Sequence, residues 1–245
     1  MWACPMKGRT WILCLLVISP VLSEASELSS ELGQDTTANV SKCIVGAEAD
    51  MRVVYAEIRH APKPAADTER VQEVLQIMML GDQDARRILI EAVTTCGLSF
   101  EDAAMRRLIK IASRIDKLNQ SRLKRLIEKV GWPLKSVYGA DAAAAAALIV
   151  QHADRDLAFQ EYVLGVIESL LESAEIDGES YALLYDRVQE AKGERQRYGT
   201  QGDCDGTTFK IDPVEDGGSL DELRGQAGLP PIDEYIRTAS ELLCQ

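Results

Sequence analysis

Aromatic residues are scarce in this 245-residue chain, which contains only 5% Phe, Trp and Tyr. Basic residues are also outnumbered, because 27 Lys and Arg stand against 39 Asp and Glu, for a formal net charge of -12. Few aromatic rings leave few stacking surfaces for single-stranded nucleic acid. The negative charge repels phosphates unless basic residues cluster, and no such cluster is visible in the linear sequence. We therefore expect no nucleic-acid partner.

The motifs of several common sites are absent as well. The chain has no Gly-rich phosphate loop, no Gly-x-Ser-x-Gly nucleophile motif and no repeated histidine spacing. Its cysteines form no CxxC pair and lie far in sequence from both histidines, which disfavours a zinc ribbon. His152, Asp154, Asp156 and Asp186 offer nitrogen and oxygen ligands, but a single central histidine is weak support for a metal site. We predict no metal and no cofactor.

The first 25 residues have the layout of a secretory signal. Lys7 and Arg9 precede an apolar run over residues 11–18, and small residues follow it. This run is much shorter than the roughly 20 residues needed to span a bilayer. We therefore predict a signal peptide over residues 1–25, no permanent membrane anchor, and export to a periplasmic or extracellular location. Residues 26–42 are polar and lack periodicity, which predicts a disordered leader.

Export changes the expected chemistry of the cysteines. Cys43, Cys96, Cys204 and Cys244 remain after removal of the signal, and an oxidising compartment favours disulfides. A bond between Cys204 and Cys244 would hold the tail, and one between Cys43 and Cys96 would close the N-terminal helices. Four cysteines allow three pairings, and their spacing does not choose among them. We predict one or two disulfides.

Apolar residues recur at helical spacing through most of the chain. The clearest pattern lies between Ser99 and Gly131 and predicts one or two helices. Ser99 is the predicted N-cap, and Gly131 followed by Trp132-Pro133 is a typical helix end. Asp141 is the predicted N-cap of a further helix that runs through six alanines to Val150. The other predicted helices cover residues 44–60, 68–93, 159–171, 181–191, 219–228 and 232–243.

The C-terminal part differs from the rest of the chain in composition. After Gly193 the chain is rich in Gly and Asp up to Gly218, which predicts a loop with one short hairpin around residues 207–211. No convincing strand pair competes with the helical pattern elsewhere. We therefore predict an all-α protein, with a single irregular helical domain over residues 43–245 and a loop-rich C-terminal segment.

Several motifs follow one another in an order seen in a known family. They are Gly131-Trp132-Pro133, Gln151-His152-Ala153-Asp154, Phe159-Gln160, Tyr181 to Val188, Gln196 to Gln201 and Gly228-Leu229. Together they resemble the bacterial family filed as domain of unknown function 6624, over residues 75–235. The shorter pieces Asp82-Gln83 with Arg86, and Asp116 with Asn119, also match family positions. The resemblance implies a shared fold and shared polar motifs, but no reaction, because the family is functionally uncharacterised.

The motif residues include a candidate polar site. His152 lies where an apolar helix becomes polar, and a nearby carboxylate would fix its tautomer and raise its basicity. Asp154 and Asp186 are the predicted partners. Arg187 could grip a carboxylate or phosphate with its planar fork. The predicted catalytic residues are His152, Asp154 and Asp186, and the predicted binding residues are Gln151, Arg187, Tyr198, Thr200 and Gln201.

Two interpretations of this site remain open. In the first, the protein is an exported hydrolase in which His152 is a general base for water or a hydroxyl, Asp154 or Asp186 orients it, and Arg187 with Gln201 holds an anionic or amide substrate. In the second, the same residues form a structural network inside a noncatalytic module that binds an unknown small molecule or peptide. Residues converging on an open cleft would favour a site, whereas buried residues with mutual partners would favour a network.

Overall fold

The computed structural model describes residues 36–63 and 66–244 of the chain. The described part is mostly helical, with one small antiparallel sheet, so the all-α prediction is confirmed. In chain order the elements are α1 Thr36–His60, α2 Thr68–Thr94, α3 Ala103–Val130, α4 Lys135–Tyr138, α5 Ala140–Gln151, α6 Leu157–Glu168, α7 Gly178–Lys192, β1 Gly202–Asp205, β2 Thr208–Ile211, α8 Leu220–Gln226 and α9 Ile232–Leu243. The predicted signal peptide lies outside the described residues.

The first three helices pack on one another around an apolar core that includes Met51, Ile58, Ile88 and Leu108. Helix α2 approaches α1 closely at Gly81, where an added Cβ atom would lie 2.4 Å from the Ile58 side chain. A larger residue at this position would force the buried Ile58 side chain to move.

Helix α1 begins earlier than the sequence pattern indicates. In the structure residues 36–42 belong to α1, where the sequence predicts a disordered leader, and residues 26–35 of that leader lie outside the described residues. The physical reason is that extending an existing helix adds hydrogen bonds without a second nucleation cost, even for a polar turn. A disulfide between Cys43 and Cys96 fastens this part of α1 to the end of α2.

The region between Ser99 and Gly131 contains one continuous helix, α3. Ser99 does not cap it, because the N-cap residue is Asp102, whose carboxylate accepts hydrogen bonds from the Ser99 backbone N–H and hydroxyl. Asp141 is not a cap either. Gly139 occupies the N-cap position of α5, with a φ of +85° that favours glycine, and Asp141 lies in the first turn.

Helix α5 is the central element of the larger apolar core. It packs against α2, α3 and α7, and its alanines allow close approach of these neighbours. Ile149 and Val150 fill the core beside Leu75, Met78 and Val163. Burying an aliphatic side chain of this size contributes about 1.5–3 kcal/mol, so the end of α5 is held firmly in place.

The loop-rich segment contains the predicted hairpin, formed by β1 and β2 in antiparallel register. Helix α9 packs against β2, and Phe209 contacts Ala239 in a small separate core. A disulfide between Cys204 and Cys244 closes this unit, and together with the bond between Cys43 and Cys96 it makes one of the three pairings that the sequence left open. None of the helices in the described ranges is both long enough and apolar enough to cross a membrane.

Candidate functional site

The predicted site residues lie in the interior of the protein, with one exception. The buried ones are Gln151, His152, Asp186, Arg187, Tyr198, Thr200 and Gln201. Asp154 is the exception, with a side chain that is 32% exposed. These residues belong to two groups that form around different carboxylates, Asp82 and Asp186.

His152 follows the last turn of α5 and faces α2. Its Nδ1 atom lies 2.7 Å from the Oδ1 atom of Asp82. The prediction that Asp154 or Asp186 is the carboxylate partner of His152 is therefore wrong. The reason is tertiary, because α5 packs along α2 and brings the end of one helix against the interior of the other.

Arg86 joins two carboxylates next to His152. Its guanidinium lies 2.9 Å from Asp82, one turn away on α2, and 3.1 Å from Asp116 on α3. We refer to Asp82, Arg86, Asp116 and His152 as the histidine cluster. Asn119 lies one turn beyond Asp116 on α3, and its amide donates to the carbonyl of Met78.

The pKa values of the two carboxyl groups in the histidine cluster are shifted in opposite directions. Burial raises the pKa of Asp82, but the charges of Arg86 and His152 outweigh burial, and the pKa falls below its ordinary value. Burial raises the pKa of Asp116, and the attraction of Arg86 does not fully compensate. Asp82 is therefore ionised at neutral pH. An ionised carboxylate only accepts hydrogen bonds, so the Nδ1 atom of His152 carries the proton between them.

Asp186 on α7 holds the loop that precedes β1. Its carboxylate accepts hydrogen bonds from the backbone N–H groups of Arg197, Tyr198 and Thr200, at 2.8, 3.1 and 2.9 Å, and from the Thr200 hydroxyl at 2.9 Å. Burial raises the pKa of Asp186, and these hydrogen bonds oppose that rise. The loop bends around the carboxylate at Gly199, which has a φ of +63°. Asp186 thus orders a loop and does not orient His152.

Arg187 follows Asp186 in α7, and its guanidinium is bonded to two side chains of the protein. It donates to the Oε1 atom of Gln201 at 2.8 Å and to the Oδ1 atom of Asp154 at 3.1 Å. The amide of Gln201 in turn donates to the Thr200 hydroxyl. We refer to Asp186, Arg187, Thr200 and Gln201 as the loop cluster. Its arginine fork is occupied by an amide and a carboxylate of the same chain, where a substrate group was predicted.

Gln151 and Tyr198 complete the predicted set. The backbone carbonyl of Gln151 accepts a hydrogen bond from the Gln160 side chain, which ties the end of α5 to α6. Tyr198 packs edge-to-face against Tyr181 and Tyr185 on α7. Both residues therefore connect elements of the fold.

Sequence reasoning did not include Asp82, Arg86, Asp116 or Arg224 among the site residues. The first three were marked as shorter family motifs, so a signal was present, but nothing in their spacing connects them to His152. Arg224 is completely buried on α8 and donates to the carbonyls of Tyr198 and Pro230. A single arginine in an amphipathic helix gives no sequence signal for such a role.

The described residues contain no group of three or more His, Cys, Asp and Glu side chains that could hold a metal ion. The His152 side chain is only 1% exposed and that of Asp82 is fully buried. The chemistry directly available is proton sharing between histidine and carboxylate, together with strong hydrogen bonding to backbone groups.

Comparison with known proteins identifies the family to which the chain belongs. A model of a family of unknown function, DUF6624, matches residues 69–243. No curated protein and no solved structure matches the chain. The matched range extends from the first turn of α2 to the last residue of α9, and it contains both clusters. Because the match covers more than half of the chain, the protein belongs to the DUF6624 family of unknown function.

Proposed function

We propose that the protein is an exported, noncatalytic ligand- or peptide-binding module in which the histidine cluster and the loop cluster are structural networks. The observation that carries this proposal is the use of the Asp186 carboxylate, which accepts four hydrogen bonds from one loop. A carboxylate engaged in this way stabilises a fold, because its lone pairs are directed at backbone groups.

The histidine cluster supports the same proposal. His152, Asp82 and Arg86 are buried and bonded to one another. A buried ion pair that is well bonded fixes the register of neighbouring helices, here α2, α3 and α5. Catalysis on a bound substrate would instead require one of these polar groups to face an open cleft.

Export is the second part of the proposal. The apolar run near the N-terminus favours a cleaved signal, and the two disulfides suit an oxidising compartment. Fractionation of a culture expressing the full chain tests this part. We expect the protein in the periplasm or the medium, shortened at its N-terminus, and full-length cytoplasmic protein would contradict export.

The network is tested with His152→Ala and Arg187→Ala, beside Asp84→Ala as the control, whose side chain is 45% exposed and pairs with the exposed Arg87. The two buried variants should lose stability, by about 3–5 kcal/mol for a broken buried pair, and the control about 0–1 kcal/mol. Thermal unfolding of the purified proteins measures the difference. An unchanged melting temperature in His152→Ala would contradict the network proposal.

One observation favours hydrolysis as a second candidate. Asp82 holds the Nδ1 atom of His152 at 2.7 Å, and a proton on Nδ1 places the basic lone pair of the ring on Nε2, the nitrogen that would accept a proton from water in this mechanism. The water oxygen would then attack an ester or amide carbonyl, and the proton would pass from Nε2 to the leaving group.

The second candidate is tested with chromogenic ester, amide and phosphoester substrates. Turnover by the wild type that is lost in His152→Gln, at an unchanged melting temperature, would support hydrolysis and overturn the noncatalytic proposal. Equal background rates for the wild type and His152→Gln would support the noncatalytic proposal.

A further inference from the structure

A groove lined by basic side chains lies between α1 and α3, away from the predicted site. Helix α1 contributes Glu48, Arg52 and Tyr55, and α3 contributes Arg107, Lys110 and Arg114, among others. The volume of the groove is about 320 Å³, and pockets for small molecules begin at roughly 300 Å³. Arg107, Lys110 and Arg114 follow one another at helical spacing on α3, and the packing of α1 on α3 adds Arg52 to them.

The charges in the groove are unbalanced. Glu48 is the one carboxylate among its lining residues, and it already lies 2.6 Å from Arg107 and 3.5 Å from Arg52. The side chains of Lys110 and Arg114 are exposed and make no hydrogen bond or ion pair with another residue in the described ranges. Four cations against one carboxylate give a positive site on a chain whose net charge is -12. Such a local reversal of charge attracts anions.

The groove also has an apolar component. Tyr55 and Ile111 are half-buried, and both pack against the core beneath the groove. They can contact the apolar body of a ligand while the arginines and the lysine bind its anionic group. Arginine matches phosphate and carboxylate oxygens with two parallel hydrogen bonds, and lysine adds a point charge.

We infer that this groove binds a small phosphate monoester with an aromatic or apolar body. Several cations around one site favour a dianion over a monoanion, and a phosphate monoester carries about -1.5 to -2 charges at pH 7. The inference rests on the proposed function, since it assigns a ligand class to the noncatalytic binding module. The disulfide between Cys43 and Cys96 fastens α1 and therefore one wall of the groove.

Titration calorimetry with phenyl phosphate tests the inference, using the oxidised full-length chain at low salt. Phenyl phosphate should bind one to one, inorganic phosphate more weakly, and phenol not at all. The double variant Lys110→Gln/Arg114→Gln should bind phenyl phosphate at least about tenfold more weakly, which corresponds to the loss of one charged hydrogen bond. Tyr55→Ala should reduce the preference for phenyl phosphate over inorganic phosphate.

Lys117→Gln is the matched control, because Lys117 is exposed on α3 but does not line the groove. The inference is overturned if phenyl phosphate does not bind, if the double variant binds as the wild type does, or if Lys117→Gln weakens binding equally. Phenyl phosphate binding reports on the groove, whereas the melting temperature of His152→Ala reports on the network. Each proposal can therefore fail independently of the other.

Discussion

His152 and Asp82 are 70 residues apart in the chain, yet 2.7 Å separates the Nδ1 atom of one from the Oδ1 atom of the other. The pair joins the end of α5 to the middle of α2, and Arg86 extends it to Asp116 on α3. Three helices are therefore joined by one group of polar side chains in the interior. This arrangement leads to specific expectations for stability.

Replacing Asp82 with alanine should destabilise the protein strongly. The substitution removes the carboxylate that holds His152 and leaves Arg86 with Asp116, and removing one partner of a buried pair costs about 3–5 kcal/mol. Urea unfolding followed by circular dichroism measures the loss. Asp84→Ala is the control, because Asp84 is exposed on the same helix and pairs with Arg87, and it should cost about 0–1 kcal/mol. Equal losses would contradict the importance of the Asp82 pair.

Asp82 should also contribute to unfolding in acid. The pKa of its carboxyl is lower in the folded chain than the ordinary value of 3.8, since the charges of Arg86 and His152 outweigh burial. Its contribution is therefore present above the unfolded pKa of about 3.9 and is lost as the pH falls through the lower folded pKa. The melting temperature of the wild type should fall more steeply in this range than that of Asp82→Asn.

Asp116 provides a control, because the effect of pH on its contribution to stability is opposite to that of Asp82. Burial raises the pKa of its carboxyl in the folded chain, so ionising Asp116 costs stability as the pH rises through the folded pKa. Asp116→Asn should remove this cost without flattening the acid side of the curve. Identical pH profiles for the Asp82 and Asp116 variants would contradict the opposite pKa shifts of the two carboxyl groups.

Asp186→Ala should loosen the loop before β1. Three backbone N–H groups lose their acceptor in this variant, those of Arg197, Tyr198 and Thr200. Hydrogen exchange followed by mass spectrometry should show faster exchange in the loop, while α2 and α3 keep their protection. Glu194→Ala, an exposed change near the same loop, is expected to leave exchange unchanged. Protection of the loop in Asp186→Ala would contradict its role.

Arg224→Met should destabilise the packing of α8 and α9 on the loop. The buried guanidinium donates to the carbonyls of Tyr198 and Pro230 and lies over the ring of Tyr235. Loss of these charged hydrogen bonds costs about 1.5–3 kcal/mol each. Arg237→Met is the exposed control on α9 and should change the melting temperature little. A small effect in both variants would show that Arg224 is dispensable.

Removing the disulfide between Cys204 and Cys244 should lower stability. The two cysteines are 40 residues apart, and closing such a loop stabilises the folded state by about 2–4 kcal/mol through the entropy of the unfolded chain. The double variant Cys204→Ser/Cys244→Ser, measured by thermal unfolding, should melt at a lower temperature than the wild type. The same temperature for both would contradict this contribution.

The helical architecture could be predicted from the sequence with good accuracy. Apolar spacing identifies α3, and Gly131 with Trp132-Pro133 marks its end, because helix periodicity and helix termination are local properties. The N-caps were less predictable. Asp102 rather than Ser99 precedes α3, and Gly139 rather than Asp141 precedes α5. Neither makes a side-chain hydrogen bond to its helix, so the preference for capping side chains does not identify them.

The candidate site was predicted as a set of residues but not as a set of contacts. Sequence motifs marked His152, Asp186 and Arg187, and all three are buried polar residues in the structure. Their partners depend on which helices pack together, and a motif does not encode that. Asp82 reaches His152 only because α2 lies along α5.

The sequence by itself determined the helices, the short hairpin and the residues that carry the polar motifs, because these follow from the spacing of side chains along the chain. Only the tertiary structure decided that His152 pairs with Asp82, that Asp186 orders a loop, and that Arg52 and Lys110 line one groove. The physical reason is that contacts between distant residues depend on helix packing, which is determined by the whole apolar core.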